Sequence, residues 1–311
     1  MSSTRVKMRG LFGFSIVEFI RKRKRAQWIS LGLKSKQIQL SNDTSLHCWV
    51  LQNKPHSLEN QRPTLLLIHG FGADGLNGWD TQICALGKHF DLLIPDLIFF
   101  GDSTTTSSER TELFQAECMK NMVEYLGVES VIVVGHSYGG FVAFWMAHKY
   151  PNVVRRLVIV SSAVCMTPST NDSLLKEFES SDIKDLLLPN NARDLKISLS
   201  ISFYKLPWIP AFIYEDLLQA TERNRELKTQ LADGIIIGSK NSQALPTVSQ
   251  DVLIVWGEKD RIFRLEEAYA LQRHIGEKAK LVVIKECGHA LPLQKPTELK
   301  QTILKFLQLD N

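Results

Sequence analysis

The residues best suited to covalent chemistry are a serine between glycines, Gly135-His136-Ser137-Tyr138-Gly139, followed by Gly140. A serine hydroxyl at its ordinary pKa is a poor nucleophile, so it needs a base within hydrogen-bond reach and a third group to hold that base. Of the eight histidines, His274 and His289 follow the serine at a suitable distance. His274 sits inside a helical repeat of Leu265, Ala268, Leu271 and Ile275, whereas His289 follows a strand pattern in Cys287-Gly288-His289, where a loop can carry it over a sheet end. His289 is therefore the expected base. The segment Trp256-Gly257-Glu258-Lys259-Asp260 supplies two carboxylates, and Asp260, farther out in the loop, is the expected acid, with Glu258 a solvated charge. Capping a helix near Leu265 is the other use for Asp260, but it stands five residues away.

A tetrahedral intermediate needs N–H donors aimed at its oxyanion. The amide of Tyr138 supplies one, and the loop His69-Gly70-Phe71-Gly72 offers a second, assigned to Phe71. His69 and His136 flank these positions and are expected to make structural hydrogen bonds. Cys287, close to His289, reads as a small buried residue at a strand end rather than as a nucleophile.

These groups converge only if the chain folds as alternating strands and helices. Thr64 to Ile68, Asp91 to Ile94, Val131 to Val134, Leu157 to Val160 and Val252 to Trp256 are short runs rich in Val, Ile and Leu, as in parallel strands buried on both faces. Leu281 to Ile284 adds another. Lys36 to Leu40 and Leu46 to Gln52 alternate around the turn signal Asn42-Asp43 and predict an opening hairpin. Between strands, Phe114, Cys118, Met122, Tyr125 and Leu126 share one helical face, and Leu299, Ile303, Phe306 and Leu307 repeat the device behind Pro296. Phe141 to Ala147 is apolar all round and predicts a buried central helix directly after Ser137. The strand that ends before the serine and this helix form a tight reversal, the setting in which G-x-S-x-G exposes its serine above a sheet.

The alternation stops between Cys165 and about Gln250, where helical segments are broken by Pro189, Pro207 and Pro210. An inserted apolar lid over a hydrophobic pocket accounts for this stretch. The division is then residues 1–33 as a basic and apolar extension, 34–164 and 251–311 as the core, and 165–250 as a helical cap.

Charge is concentrated in the extension. Residues 1–25 carry eight basic side chains against Glu18, so this segment is +7 and the rest about −3, given +4 for the chain. A core of that sign excludes nucleic acid as a partner of the folded domain. Leu11 to Ile20 is too short to span a bilayer, and Arg21 to Arg25 stands where a secretory signal would have its cleavage site. Three readings stay open for residues 11–25: contact with a membrane surface, organelle targeting, and a helix packed on the domain with its basic run solvated. Five cysteines without metal-ligand spacing favour a reducing, intracellular compartment. No metal or organic cofactor is expected.

The ordered set His69-Gly70-Phe71-Gly72, Pro95-Asp96-Leu97 with Phe100-Gly101-Asp102-Ser103, Gly135 to Gly140, Trp256 to Asp260 and Gly288-His289 resembles the α/β-hydrolase superfamily over about residues 36–308. The nearest look is to capped serine hydrolases such as monoacylglycerol lipases, carboxylesterases, carbon–carbon bond hydrolases and plant α/β-hydrolases. The resemblance implies an α/β fold with an eight-stranded, mostly parallel sheet whose second strand is antiparallel, helices on both faces, and a helical cap after strand 6. It also implies hydrolysis of a small hydrophobic ester by Ser137, Asp260 and His289. Epoxide hydrolases and haloalkane dehalogenases carry aspartate where Ser137 stands, which disfavours them. A ligand receptor with little turnover and a carbon–carbon bond hydrolase remain the alternatives, with hydroxynitrile lyases and haloperoxidases as minor ones.

Overall fold

A computed structural model describes residues 15–52, 62–178, 182–238 and 245–307. Its strands are β1 (Lys34–Ser41), β2 (Thr44–Leu51), β3 (Thr64–Ile68), β4 (Asp91–Pro95), β5 (Thr104–Thr105), β6 (Val131–His136), β7 (Val154–Val160), β8 (Asp251–Gly257) and β9 (Ala279–Ile284). The main path runs β1-β2-β4-β3-β6-β7-β8-β9, eight strands, with the two-residue β5 paired to β2 off that path. β2 is antiparallel to both β1 and β4, and every later pairing on the path is parallel. Only β5 was not anticipated: it is a short polar pairing of Thr104 and Thr105 with Ser45 and Thr44, with no apolar run to announce it.

Helices cover both faces. They are α1 (Ile16–Ser30), α2 (Gly75–Leu86), α3 (Glu112–Tyr125), α4 (Tyr138–Lys149), α5 (Pro168–Glu177), α6 (Ile183–Leu187), α7 (Ala192–Ser202), α8 (Ala211–Thr221), α9 (Arg225–Asp233), α10 (Leu265–Ile275), α11 (Leu291–Gln294) and α12 (Pro296–Phe306). The period-2 alternation of a strand sorts β3 between two cores. Leu66 and Ile68 pack with Met119, Phe141 and Phe144, and Leu65 and Leu67 with Trp79, Ile83 and Leu299. Side-chain caps fix where helices start: Thr111 accepts from the Phe114 amide at α3, and Pro296 opens α12 at a position where its missing N–H is no loss.

Helices α5 to α9 form an insertion between β7 and β8, after the sixth strand of the path. Its carboxyl-terminal end and its middle are tied to the sheet domain. The buried Glu112 carboxylate on α3 accepts from the Ile236 and Ile237 amides at 3.0 and 2.8 Å, and the Ala290 amide donates to the Ser202 carbonyl at 2.9 Å.

The amino-terminal helix is not a solvated basic run. Trp28 is 1% exposed and donates from Nε1 to Asp80 at 2.8 Å, while Arg21 pairs with Asp74 at 2.6 Å, Lys24 with Asp80 at 3.4 Å and Arg25 with Asp102 at 2.9 Å. At its other end the Val17 amide donates to Asp216 of α8 at 2.8 Å, so α1 touches the sheet domain and the insertion at once. The acidic partners lie far away in sequence, which is why the run looks free when read alone. Residues 11–14 of the segment for which membrane contact stays open lie outside the described residues. Among the described residues no helix is long and apolar enough to cross a membrane.

Candidate active site

Ser137 stands between β6 and α4 with φ 54° and ψ −123°, a region that costs a non-glycine residue roughly 1–3 kcal/mol. Its neighbours enforce the conformation. The Ser137 amide donates to the Val160 carbonyl at 3.0 Å, and the Gly140 amide donates to the Ser137 carbonyl at 2.8 Å. A Cβ on Gly139 would strike the Ile68 and His69 carbonyls, and one on Gly135 would strike the backbone of Gly139. Glycine at these two places lets strand and helix close up tightly enough to lift the serine out of the sheet.

The loops after β8 and β9 bring the other two groups to it. His289 Nε2 lies 2.9 Å from Ser137 Oγ, and His289 Nδ1 lies 2.9 Å from Asp260 Oδ2. The Asp260 side chain is fully buried, and its other oxygen accepts from the Ile262 and Phe263 amides, each at 2.9 Å. It therefore shapes its own turn, without capping α10, whose N-cap is Arg264. The His289 loop is steadied from below by Gln294, whose Oε1 accepts from the Gly288 amide at 2.9 Å. His274 is remote from this group: it lies on α10 with Nε2 on the Pro246 carbonyl. Glu258 pairs loosely with Lys259 at 3.7 Å.

The amides of Phe71 and Tyr138 have no acceptor among the described residues. Tyr138 opens α4, where the first N–H groups of a helix lack intrahelical partners. The Phe71 and Tyr138 rings meet edge to face at 5.8 Å and wall the space above the serine. His69 donates from Nδ1 to the Gly70 carbonyl and accepts at Nε2 from the Leu97 amide, which fixes the loop that carries Phe71. Burial pushes its imidazole below the ordinary histidine value, so it stays neutral. His136 donates from Nε2 to the His289 carbonyl, and burial together with the neighbouring His289 charge pushes it down to about 3. Burial pushes the Cys287 thiol up to about 12, which keeps it un-ionised and non-nucleophilic.

Above Ser137 lies a cavity of about 410 Å³, walled mostly by apolar side chains including Phe71, Phe141, Leu186, Leu199 and Phe263. A cavity of about 470 Å³ adjoins it and shares Gly72, His136, Thr221, Lys228, Ala290 and Leu293 with it.

One cluster near the rim has metal-like residue types: His47, Asp96 and Asp102. Protein donors already occupy it. Asp96 accepts from the Gly75 and Asp102 amides and from His47 Nδ1, and Asp102 pairs with Arg25 and Arg223. It is a structural hub.

Sequence reading missed Gln294 and Lys228 and named Asp96 only within a motif, without a role. Lys228 left a signal: it stands three and four residues before the buried Leu231 and Ala232, a cation on the apolar face of α9.

Residues 63–296 match the family described as alpha/beta hydrolase fold. Lipase 1 of Psychrobacter immobilis is 30% identical over 230 residues, covering 72% of this chain and 70% of the relative. The lip1 structure from Acinetobacter baumannii AYE superposes with a TM-score of 0.78 at 24% identity, over 96% of this chain and 98% of that one. A 2-hydroxy-6-oxo-6-phenylhexa-2,4-dienoate hydrolase from Rhodococcus sp. strain RHA1 gives 0.71 at 20% identity, over 89% and 99%. At those identities the two structures speak for the fold alone, whereas the family match and the lipase coverage are extensive enough to place the sequence: the chain belongs to the α/β-hydrolase fold family.

Proposed function

We propose that this chain is a serine hydrolase that cleaves hydrophobic carboxylic esters through an acyl-enzyme. The observation that carries the reading is the hydrogen-bonded series Ser137–His289–Asp260 opening onto an apolar cavity. Ser137 Oγ attacks the ester carbonyl as His289 Nε2 takes its proton, and Asp260 holds the imidazolium. The amides of Phe71 and Tyr138 receive the oxyanion, each relieved of an unpaired state by doing so. His289 then protonates the departing alcohol, and water repeats the sequence on the acyl-enzyme. Helices within residues 165–250 act as the lid, and the similarity to a lipase favours an ester over other acyl bonds.

Contact with a membrane surface belongs to the same proposal. Phe19 and Ile20 are each 47% exposed on α1, and Lys22 and Arg23 beside them are exposed too. Apolar tips with a cationic collar suit an anionic lipid interface.

A fluorophosphonate probe tests the central claim. Native protein should label at Ser137 and Ser137→Ala should not; equal labelling of both, or none of either, ends the hydrolase reading. Turnover of acyl esters against a carbon–carbon diketone substrate separates esterase from carbon–carbon hydrolase, and labelling without turnover of any ester identifies a receptor.

A further inference from the structure

The hydrolase proposal leaves one buried charge unused. Lys228 is 8% exposed, and the only acceptor within reach of its ammonium among the described residues is the Thr221 carbonyl, at 3.1 Å. It forms no ion pair among the described residues. Asp74 and Glu222 act on it only through space, and the Asp74 oxygens are engaged by the Asn77 amide at 2.8 Å and by Arg21 at 2.6 Å. The ammonium also lies 5.5 Å from the Phe100 ring centre, a contact that offers partial compensation only. A buried ammonium has three donors to satisfy, and leaving such charge without a counter-ion is costly.

Position gives that charge a use. Lys228 stands in the wall common to the two cavities, together with Gly72, His136 and Ala290, and one of those cavities is also lined by Ser137 and Phe71. The chamber above Ser137 is largely apolar. The adjoining chamber is lined by Arg21, Lys24, Arg223 and Lys228, of which the first three are paired with Asp74, Asp80 and Asp102. An ester seated with its carbonyl at Ser137 therefore has an apolar side for its acyl chain and a cationic side for its alcohol.

We propose that Lys228 is a specificity-determining residue for an ester whose alcohol portion carries an anionic group, a phosphate monoester or a carboxylate, received in the second chamber while the acyl chain fills the first. The inference rests on the hydrolase reading. Burial holds the Lys228 ammonium below the ordinary lysine value, and a bound anion supplies the missing counter-charge and reverses that effect. Arg21, Lys24 and Arg223 are each paired with a carboxylate, which largely cancels their field and leaves Lys228 as the cation of this chamber with no ion pair among the described residues.

Three esters with one acyl chain test this: 1-dodecanoylglycerol, its 3-phosphate and its 3-hemisuccinate. In the native enzyme kcat/KM for at least one charged ester should exceed that for the neutral one by about tenfold or more, the scale of one charge-assisted contact. The phosphate and hemisuccinate arms tell the two anions apart. Lys228→Gln keeps a donor for the Thr221 carbonyl and removes the charge, and Lys228→Met keeps only the length; both should bring the charged-to-neutral ratio close to one. A merely structural lysine would lower all three esters together and leave the ratio intact, which overturns the proposal, as does a native preference for the neutral ester. The hydrolase reading is scored separately by fluorophosphonate labelling of Ser137. Binding of dodecyl phosphate to Ser137→Ala, measured against the same protein with Lys228→Gln, reads the anion site without turnover: affinity that does not depend on Lys228 also overturns it.

Discussion

His136 Nε2 donates a hydrogen bond to the backbone carbonyl of His289 at 2.9 Å, so the residue before Ser137 holds the peptide of the histidine that faces it. The two rings lie 5.3 Å apart, and a charge on His136 would oppose the imidazolium that the proposed reaction forms at His289.

That juxtaposition works only while His136 is neutral. Burial and the His289 charge hold it down to about 3, far below an unfolded histidine near 6.5. A depressed pKa stabilises the fold above the unfolded value, and this contribution is lost as pH falls from about 6.5 toward 3. His136→Gln, which keeps a donor for the His289 carbonyl, should therefore show a shallower loss of Tm across that window than native protein. In the native enzyme the acid limb of log kcat/KM above pH 4 should have a slope of one proton. A slope of two would show His136 titrating with the base and refute the assignment.

Asp260 has two jobs that different substitutions separate. Asp260→Asn can still accept from the Ile262 and Phe263 amides but loses the charge facing His289 Nδ1, so kcat should fall by about three to four orders of magnitude with little loss of Tm. Asp260→Ala leaves those amides unpaired in a buried turn and should cost a further ~1–3 kcal/mol of stability. Equal Tm for the two variants would mean that the carboxylate does not organise its own loop.

The backbone frame of this site was readable in the sequence because it depends on local signals. Val131 to Val134, the glycines around Ser137 and the all-apolar α4 dictate a strand, a sharp reversal and a buried helix within twenty residues. His289 and Asp260 were separable from their rivals because His274 obeys a helical period and Glu258 sits nearer the strand. Ion pairs were not readable. Arg21, Arg25 and Arg223 are ordinary surface residues until the fold brings Asp74 and Asp102 to them, and no periodicity encodes such partners. The buried face of Lys228 was encoded by its spacing to Leu231 and Ala232, but its cavity wall exists only once the inserted helices are folded over the sheet.

Close approach at the elbow predicts a steep cost for the smallest added group. On Gly139 a methyl would meet the Ile68 and His69 carbonyls, backbone atoms that cannot swing aside. Gly139→Ala should lose about 1–3 kcal/mol by overpacking and displace the Phe71 loop, with kcat falling further than KM rises. Gly127→Ala is the contrast: its Cβ meets nothing, so only its φ of +70° opposes the change. Chemical denaturation of both variants tests the pair, and an unperturbed Gly139→Ala would contradict the packing described for the elbow.

Asp102 joins three parts of the molecule: it sits on the sheet domain, takes Arg25 of α1 at 2.9 Å and takes Arg223 of the insertion at 2.8 Å. Burial alone would push its carboxyl up, but the Arg223 hydrogen bond and the charge and hydrogen bond of Arg25 outweigh burial and hold it below the ordinary carboxylate value. A lowered carboxylate pKa contributes stability above the unfolded value, about 3.9, and that contribution disappears as pH falls through the lower folded value. The junction should therefore hold at neutral pH and loosen only below about pH 4. Asp102→Asn reproduces the uncharged state at pH 7. Because both pairs are partly exposed, global stability should change by less than about 1 kcal/mol, whereas Trp28→Ala, which empties a buried aromatic site, should cost ~3–5 kcal/mol. The local effect of Asp102→Asn should nevertheless be clear in hydrogen exchange, with faster exchange across α1 and in the turn leading into α9, where Arg223 sits, than in β6 or β8. Uniform exchange across these segments would mean that the other anchors of α1, at Trp28, Asp74, Asp80 and Asp216, hold it without Asp102 and that Asp102 couples nothing.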